Sequence, residues 1–211
     1  MRRLPVYLVL DVSGSMHGEP IEAVRNGMQI LASTLRTDPY ALETAFISVI
    51  VFDGSARQLV PLTELMAFQP PTIEAGSTTS LGEALRVTKE CIEREVEQTT
   101  AEAKGDWKPL VFIMTDGMPT DDWQTGLAEF RNAKTGMVIA CAAGPQADTN
   151  LLKQITDTVV ALDTADSSTI GAFFKWVSAS ISTSSKKVDM TKSESIEISE
   201  LPPPPPEITL V

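Results

Sequence analysis

"LVLDVSGSMHGEP", residues 8–20, carries an apolar run into an aspartate and then sets Asp11, Ser13 and Ser15 at alternate positions before a helix-like segment opens. A buried strand that ends this way presents oxygen atoms and little else. Three chemistries use such an ending: a nucleophile, a phosphate cradle and a metal site. The choice among them rests on what other parts of the chain bring to the same place.

Outward from that stretch, short apolar runs alternate with helical patterns. "VYLVL" (6–10), "AFISVIVF" (45–52), "LVFIM" (110–114), "MVIACAA" (137–143) and "VVAL" (159–162) read as strands, apolar enough to be covered on both faces. "ARQLVPL" (56–62) is weaker, and Pro61 demotes it to an edge strand, antiparallel to its neighbour. Ile21, Val24, Met28, Leu31 and Leu35 recur three or four apart, as do Leu81, Leu85, Ile92 and Val96. Helices are also expected near 121–133 and 147–155, and a last one over 166–183 buries Ile170, Phe173, Phe174, Val177 and Ile181. Parallel strands need crossover connections, so the alternation predicts an α/β fold. It is Rossmann-like and doubly wound, a mainly parallel six-stranded sheet with one antiparallel edge strand and helices on both faces. Ligands of such sheets gather at the carboxyl ends of the strands.

At 211 residues, 43% hydrophobic and 21% charged, the chain suits one globular domain and a tail. The domain is expected over 1–184. Residues 185–211, rich in Ser and Thr and containing the run Pro202 to Pro206, are expected as a flexible tail with a stiff polyproline stretch. A net charge of −11 and a pI near 4.6 argue against nucleic acid or an anionic membrane as partner. Cys91 and Cys141 read as buried free thiols of a reducing compartment. The apolar part of "MRRLPVYLVL" is too short for a secretory leader and is stopped by Asp11, so it reads as the first core strand. No apolar stretch is long enough to span a bilayer, and the expected location is the cytoplasm.

Three loops follow strand ends: Asp11-Val12-Ser13-Gly14-Ser15, "EAGSTTSLGEAL" (74–85) and "IMTDGMPTDDW" (113–123). In a doubly wound sheet they converge on one edge, offering two carboxylates and several hydroxyls. Hard cations such as Mg²⁺ take oxygen ligands. Zn²⁺ fits poorly, since His17 is the sole histidine and neither cysteine has a ligand spacing. With these motifs in this order, the chain resembles the von Willebrand factor type A (VWA) domain family over about residues 4–183. The DxSxS loop matches Asp11, Ser13 and Ser15; the threonine two places before Leu-Gly matches Thr79; the aspartate in a T-D-G context matches Asp116. The resemblance implies a metal-ion-dependent adhesion site (MIDAS) with Asp11, Ser13, Ser15, Thr79 and Asp116 as ligands. It implies Mg²⁺, with Mn²⁺ or Ca²⁺ as alternatives, and a protein partner that donates an acidic side chain to the ion. Many relatives have Gly-Gly before the threonine where this chain has Ser77-Thr78, which leaves Thr78 as a rival to Thr79. Within the family, "LVFIMTDGMPTDDW" and "FFKWVSASISTSS" look closest to bacterial tellurium-resistance (TerY-like) proteins. That similarity implies a stress-response or phosphorylation-linked complex with a protein kinase and a phosphatase.

Plainer readings stand beside these. The DxSxS loop alone is also what a turn and helix cap look like. His17 is expected as an exposed loop residue. Thr120 is expected to cap a helix whose positive end Asp121 and Asp122 complement, and Asp53 to close a turn. Trp107 and Trp123 are expected to pack. The serine-rich tail is a candidate phosphorylation target, and "LPPPPP" a candidate for a proline-binding partner. The rival function is a Mg²⁺-dependent phosphatase-like enzyme with Asp11 as nucleophile. Phosphatases of the haloacid-dehalogenase type place a second acid two residues after the nucleophile, and here that residue is Ser13. Neither a P-loop signature nor a G-x-S-x-G elbow is present, so no catalytic residue is assigned and the expectation is a binding module, not an enzyme.

Overall fold

The computed structural model describes residues 2–188 and 198–211. Seven strands form one sheet in the order β3-β2-β1-β4-β5-β6-β7. They are β1 (Leu4–Asp11), β2 (Ala45–Phe52), β3 (Ala56–Glu64), β4 (Leu110–Thr115), β5 (Met137–Ala143), β6 (Val159–Leu162) and β7 (Thr209–Leu210). The helices are α1 (Glu19–Leu35), α2 (Pro39–Thr44), α3 (Leu81–Glu95), α4 (Trp123–Phe130), α5 (Thr149–Ile155) and α6 (Ser167–Val188). Strands β2, β1, β4, β5 and β6 run parallel, and the edge strands β3 and β7 are antiparallel to their neighbours. Pro61, which has no N–H to give a ladder, lies in edge strand β3, as expected.

Every residue of β1 is buried, because β1 lies mid-sheet with helices on both faces. Period-two alternation divides its side chains. Leu4, Val6, Leu8 and Leu10 join the core formed with α1 and α6, whose Met28, Leu31, Phe173 and Phe174 are fully buried. Tyr7 and Val9 join the opposite core with Leu81, Leu85 and Ile92 of α3 and Leu127 of α4. Helices α3 and α4 touch backbone to backbone: a Cβ on Gly126 would stand 2.1 Å from the Gly82 carbonyl oxygen. That contact draws the start of α4 against the start of α3, and the loops before both helices meet.

The chain after residue 184 differs from the expected tail, and the sheet gains a seventh strand from it. Helix α6 runs on to Val188. Serines within it turn their hydroxyls back onto the helix: Ser178 and Ser180, inside the expected span, donate to the carbonyls of Phe174 and Trp176, and Ser184, beyond that span, to the carbonyl of Ser180, each at 2.8 Å. Residues 198–211 return to the body. Leu201 packs on the core, Trp176 Nε1 donates to the Pro202 carbonyl at 2.8 Å, and Ile208 is buried. Thr209 and Leu210 then pair with β6, and the Val211 N–H reaches the Val159 carbonyl at 3.0 Å. A two-residue strand is too short for alternation to reveal. Residues 189–197, part of the serine-rich tail expected as a candidate phosphorylation target, lie outside the described residues. Among those described, no helix is long and apolar enough to cross a membrane.

Candidate metal centre

Strands β1 and β4 are neighbours, and the chain leaves their carboxyl ends in opposite directions along the sheet. A crevice opens there, at the topological switch point. Leu10 pairs with Met114 in the ladder, so Asp11 and Thr115 finish their strands side by side. Thr115 Oγ1 donates to Asp11 Oδ2 at 2.6 Å, and the Ser13 N–H donates to Asp11 Oδ1 at 2.8 Å. Both carboxylate oxygens of Asp11 are therefore held. The Ser13 and Ser15 hydroxyls lie 3.0 Å apart, and Ser15 Oγ donates to Asp116 Oδ1 at 2.7 Å. Four of the five expected residues thus form one chain of hydrogen bonds.

Thr79 joins them from the loop before α3. A Cβ built on Gly117 would lie 3.9 Å from Ser15 Oγ and 4.0 Å from Thr79 Oγ1, so the two hydroxyls share the concavity above that glycine. Thr78 points elsewhere: it is exposed, and its hydroxyl lies 3.3 Å from where a Cβ on Gly54 would stand. The geometry therefore favours Thr79 over Thr78. Asp11, Ser13, Thr79 and Asp116 are buried while Ser15 is exposed, which leaves the cluster one face toward solvent.

The loops interlock through backbone bonds. Gly76 N donates to the Val12 carbonyl at 2.6 Å and Gly14 N to the Ser77 carbonyl at 2.8 Å. Ser80 N reaches the Asp53 carbonyl at 2.7 Å. Thr79 and Thr120 hold each other twice: Thr120 N donates to the Thr79 carbonyl at 2.8 Å, and Thr79 N to Thr120 Oγ1 at 3.1 Å. Here the expected capping roles change. Asp122, not Thr120, caps α4, accepting from Thr125 N at 3.3 Å. Asp121 caps the distant helix α3, accepting from the Gly82 and Glu83 N–H groups at 3.1 and 2.9 Å. Thr115, Thr120 and Asp121 are the supporting residues that sequence reading missed. Their signal was the polar run "TDGMPTDD", whose division of labour depends on which loop each side chain faces. Asp53 accepts from the Ser55 N–H in the expected turn, His17 is exposed, Trp107 is buried and Trp123 packs against the α3 side of the core.

Burial pushes the Asp11 carboxyl above its ordinary range; the bonds from Ser13 and Thr115 oppose this, and the charge of Asp116 adds to it. Burial raises the Asp116 carboxyl as well, against the bond from Ser15. Among the described residues no lysine or arginine forms an ion pair with either acid. Two neighbouring carboxylates without a protein cation are what a bound cation relieves. The donor set fits a hard divalent ion: two carboxylates and three hydroxyls, with no nitrogen or sulfur. Among the described residues no three or more His, Cys, Asp or Glu side chains are grouped so that they could hold a metal ion.

The sequence also matches the family model of the von Willebrand factor type A domain over residues 6–175. The chain belongs to the VWA domain family. Domains of this family often carry a divalent metal on a MIDAS motif. The uncharacterized protein sll0103 of Synechocystis is 31% identical over 123 residues, covering 55% of this chain and 26% of that protein. The pilus adhesin SpaC of Lactobacillus rhamnosus GG superposes with a TM-score of 0.69 at 17% identity, over 87% of this chain and 31% of SpaC. Proximal thread matrix protein 1 from the mussel byssus, solved with a zinc-occupied MIDAS motif, gives 0.60 at 19% identity, over 84% of this chain and 48% of that one. At such identities the two structures show the shared fold. This VWA domain spans about a quarter of the Synechocystis protein's length and less than half of either solved chain.

Proposed function

We propose that this VWA domain is a metal-ion-dependent protein-binding module of the MIDAS type. The observation that carries the reading is the oxygen-only cluster of Asp11, Ser13, Ser15, Thr79 and Asp116, hydrogen-bonded together at a strand switch point and open to solvent at Ser15. Mg²⁺ held there, or Mn²⁺ or Ca²⁺ in its place, supplies a positive site for a carboxylate from outside. The protein's part is positional. The hydroxyls of Ser13, Ser15 and Thr79 are neutral donors, so the site leaves much of the ion's charge for an acidic side chain of the partner. Thr115 and the Ser13 N–H orient Asp11, and Thr120 holds the Thr79 loop in register.

The phosphatase-like alternative is disfavoured by the same geometry. Asp11 is fully buried with both oxygens engaged, and Ser13 stands where that chemistry places an acid. A place in a bacterial tellurium-resistance or stress-response complex in the cytoplasm, alongside a protein kinase and a phosphatase, is supported by the resemblance of residues 110–123 and 173–185 to TerY-like proteins. The test is capture of partners from native cells by the full chain, with and without EDTA, and by Asp11→Ala. Loss of the same partner under both treatments, with the fold intact by circular dichroism, is expected. Association that survives both refutes the mechanism.

A further inference from the structure

The segment from Leu65 to Ser80 contains no helix or strand, yet its last residues must hold Thr79 in the cluster. A connection of that length within a compact domain loses much conformational freedom on ordering and needs anchors of its own. Helix α1 and the residue that caps its C-terminus supply two. Arg36 donates from Nε to the Leu65 carbonyl at 3.3 Å and from Nη2 to the Phe68 carbonyl, fixing the start of the segment beside β3. Arg25 donates from Nε, at 2.7 Å, and from Nη2 to the carbonyl of Ile73, and pairs through Nη1 with Glu22 one turn earlier. Ile73 is buried. Its carbonyl would be left without these donors if the guanidinium were removed, and the loop would have to move to find others.

The two anchors differ in what lies beyond them. After Phe68, residues 69–72 make no hydrogen bond to the loops of the cluster. After Ile73 comes the stretch that carries every second-loop contact of the cluster: Gly76 on Val12, Ser77 on Gly14, Thr79 on Thr120. Helix α1 itself follows directly from the Asp11–Ser15 loop. Arg25 therefore ties the loop bearing Thr79 to the helix that continues the loop bearing Asp11, Ser13 and Ser15. A planar fork held by Glu22 and aimed at one carbonyl oxygen suits that task better than a flexible ammonium.

We propose that Arg25 is a positioning residue of the metal centre, setting Thr79 against the Asp11–Ser15 loop, while Arg36 serves the fold alone. This rests on the metal-site reading above. Partners that position metal ligands typically change metal affinity by about 10- to 100-fold when removed.

The experiment titrates Mn²⁺ into the full chain by calorimetry and measures urea midpoints for Arg25→Met, Arg36→Met, Arg25→Lys and Asp11→Asn. Arg25→Met is expected to weaken Mn²⁺ about 10-fold or more, and Arg36→Met to leave its affinity at the wild-type value while lowering the urea midpoint. Equal Mn²⁺ affinities in the two methionine variants overturn the proposal. If Arg25→Met fails to fold, Arg25→Lys, which keeps the charge and loses the fork, carries the test: weaker Mn²⁺ binding at an unchanged urea midpoint supports it, and wild-type binding overturns it. Asp11→Asn separates the two levels. Mn²⁺ binding that survives that change refutes the metal site itself, whereas its loss there with wild-type binding in Arg25→Met refutes only the role of Arg25.

Discussion

Asp11→Asn separates a carboxylate kept for an ion from one kept for the fold. The asparagine is nearly isosteric. Its Oδ1 can still accept the Ser13 N–H, and its Nδ2 can donate to Thr115 Oγ1. The threonine hydroxyl then turns its own hydrogen toward the Gly117 carbonyl, 3.4 Å away. Both side-chain atoms keep a partner, and a charge that burial disfavours has gone. In EDTA the variant is therefore expected to be at least as stable as the wild type. With Mg²⁺ at a hundred times its dissociation constant, the wild type gains about 2.7 kcal/mol from binding to the folded state alone. For a domain of this size that is a rise in Tm of roughly 5–11 °C. The variant should gain none of it. The assay is thermal unfolding of both proteins in EDTA and across a Mg²⁺ series. Equal Mg²⁺ shifts in both would place the ion elsewhere. A variant several kcal/mol less stable in EDTA would show that the carboxylate serves the fold.

Other expectations follow from packing, capping and the returning C-terminal segment. A Cβ on Gly27 would come within 2.2 Å of Phe174, so Gly27→Ala should cost about 1–3 kcal/mol and Phe174→Ala about 3–5 kcal/mol. The double variant should cost less than their sum in urea unfolding, because the cavity left by the ring admits the new methyl. Trp176→Phe removes the bond to the Pro202 carbonyl and should speed amide exchange at Val211 while leaving β1 protected, as read by hydrogen exchange. Asp166 accepts from Thr164 Oγ1 and from the Ser168 and Thr169 N–H groups at the start of α6, bonds that hold its carboxyl below the ordinary range, with Thr164 the largest cause. A depressed folded pKa gives stability that is complete above the unfolded value, ~3.9, and lost as pH falls through the folded one. Asp166→Ala should therefore cost about 1 kcal/mol at pH 7, and the gap from wild type in urea midpoint should close at acid pH.

The sequence by itself determined the layered sheet, the strands β2, β5 and β6 to the residue, and the three loops that carry oxygen donors. Those features are local: a run buried on both faces is apolar throughout, a helix repeats every three or four residues, and Asp11, Ser13 and Ser15 lie within one short loop. The tertiary structure decided the rest. Thr79 and Thr78 are adjacent and chemically alike, and only the direction each side chain takes separates the one above Gly117 from the one facing Gly54. Asp121 caps a helix that begins far back in the sequence, and Arg25 holds the carbonyl of Ile73, so neither role leaves a periodic trace. Ser184, at the end of α6, and the prolines that follow belong to a stretch with the composition of a loose tail. It is ordered by bonds to a helix carbonyl, to Trp176 and to the edge of β6, partners that exist only once the sheet has formed.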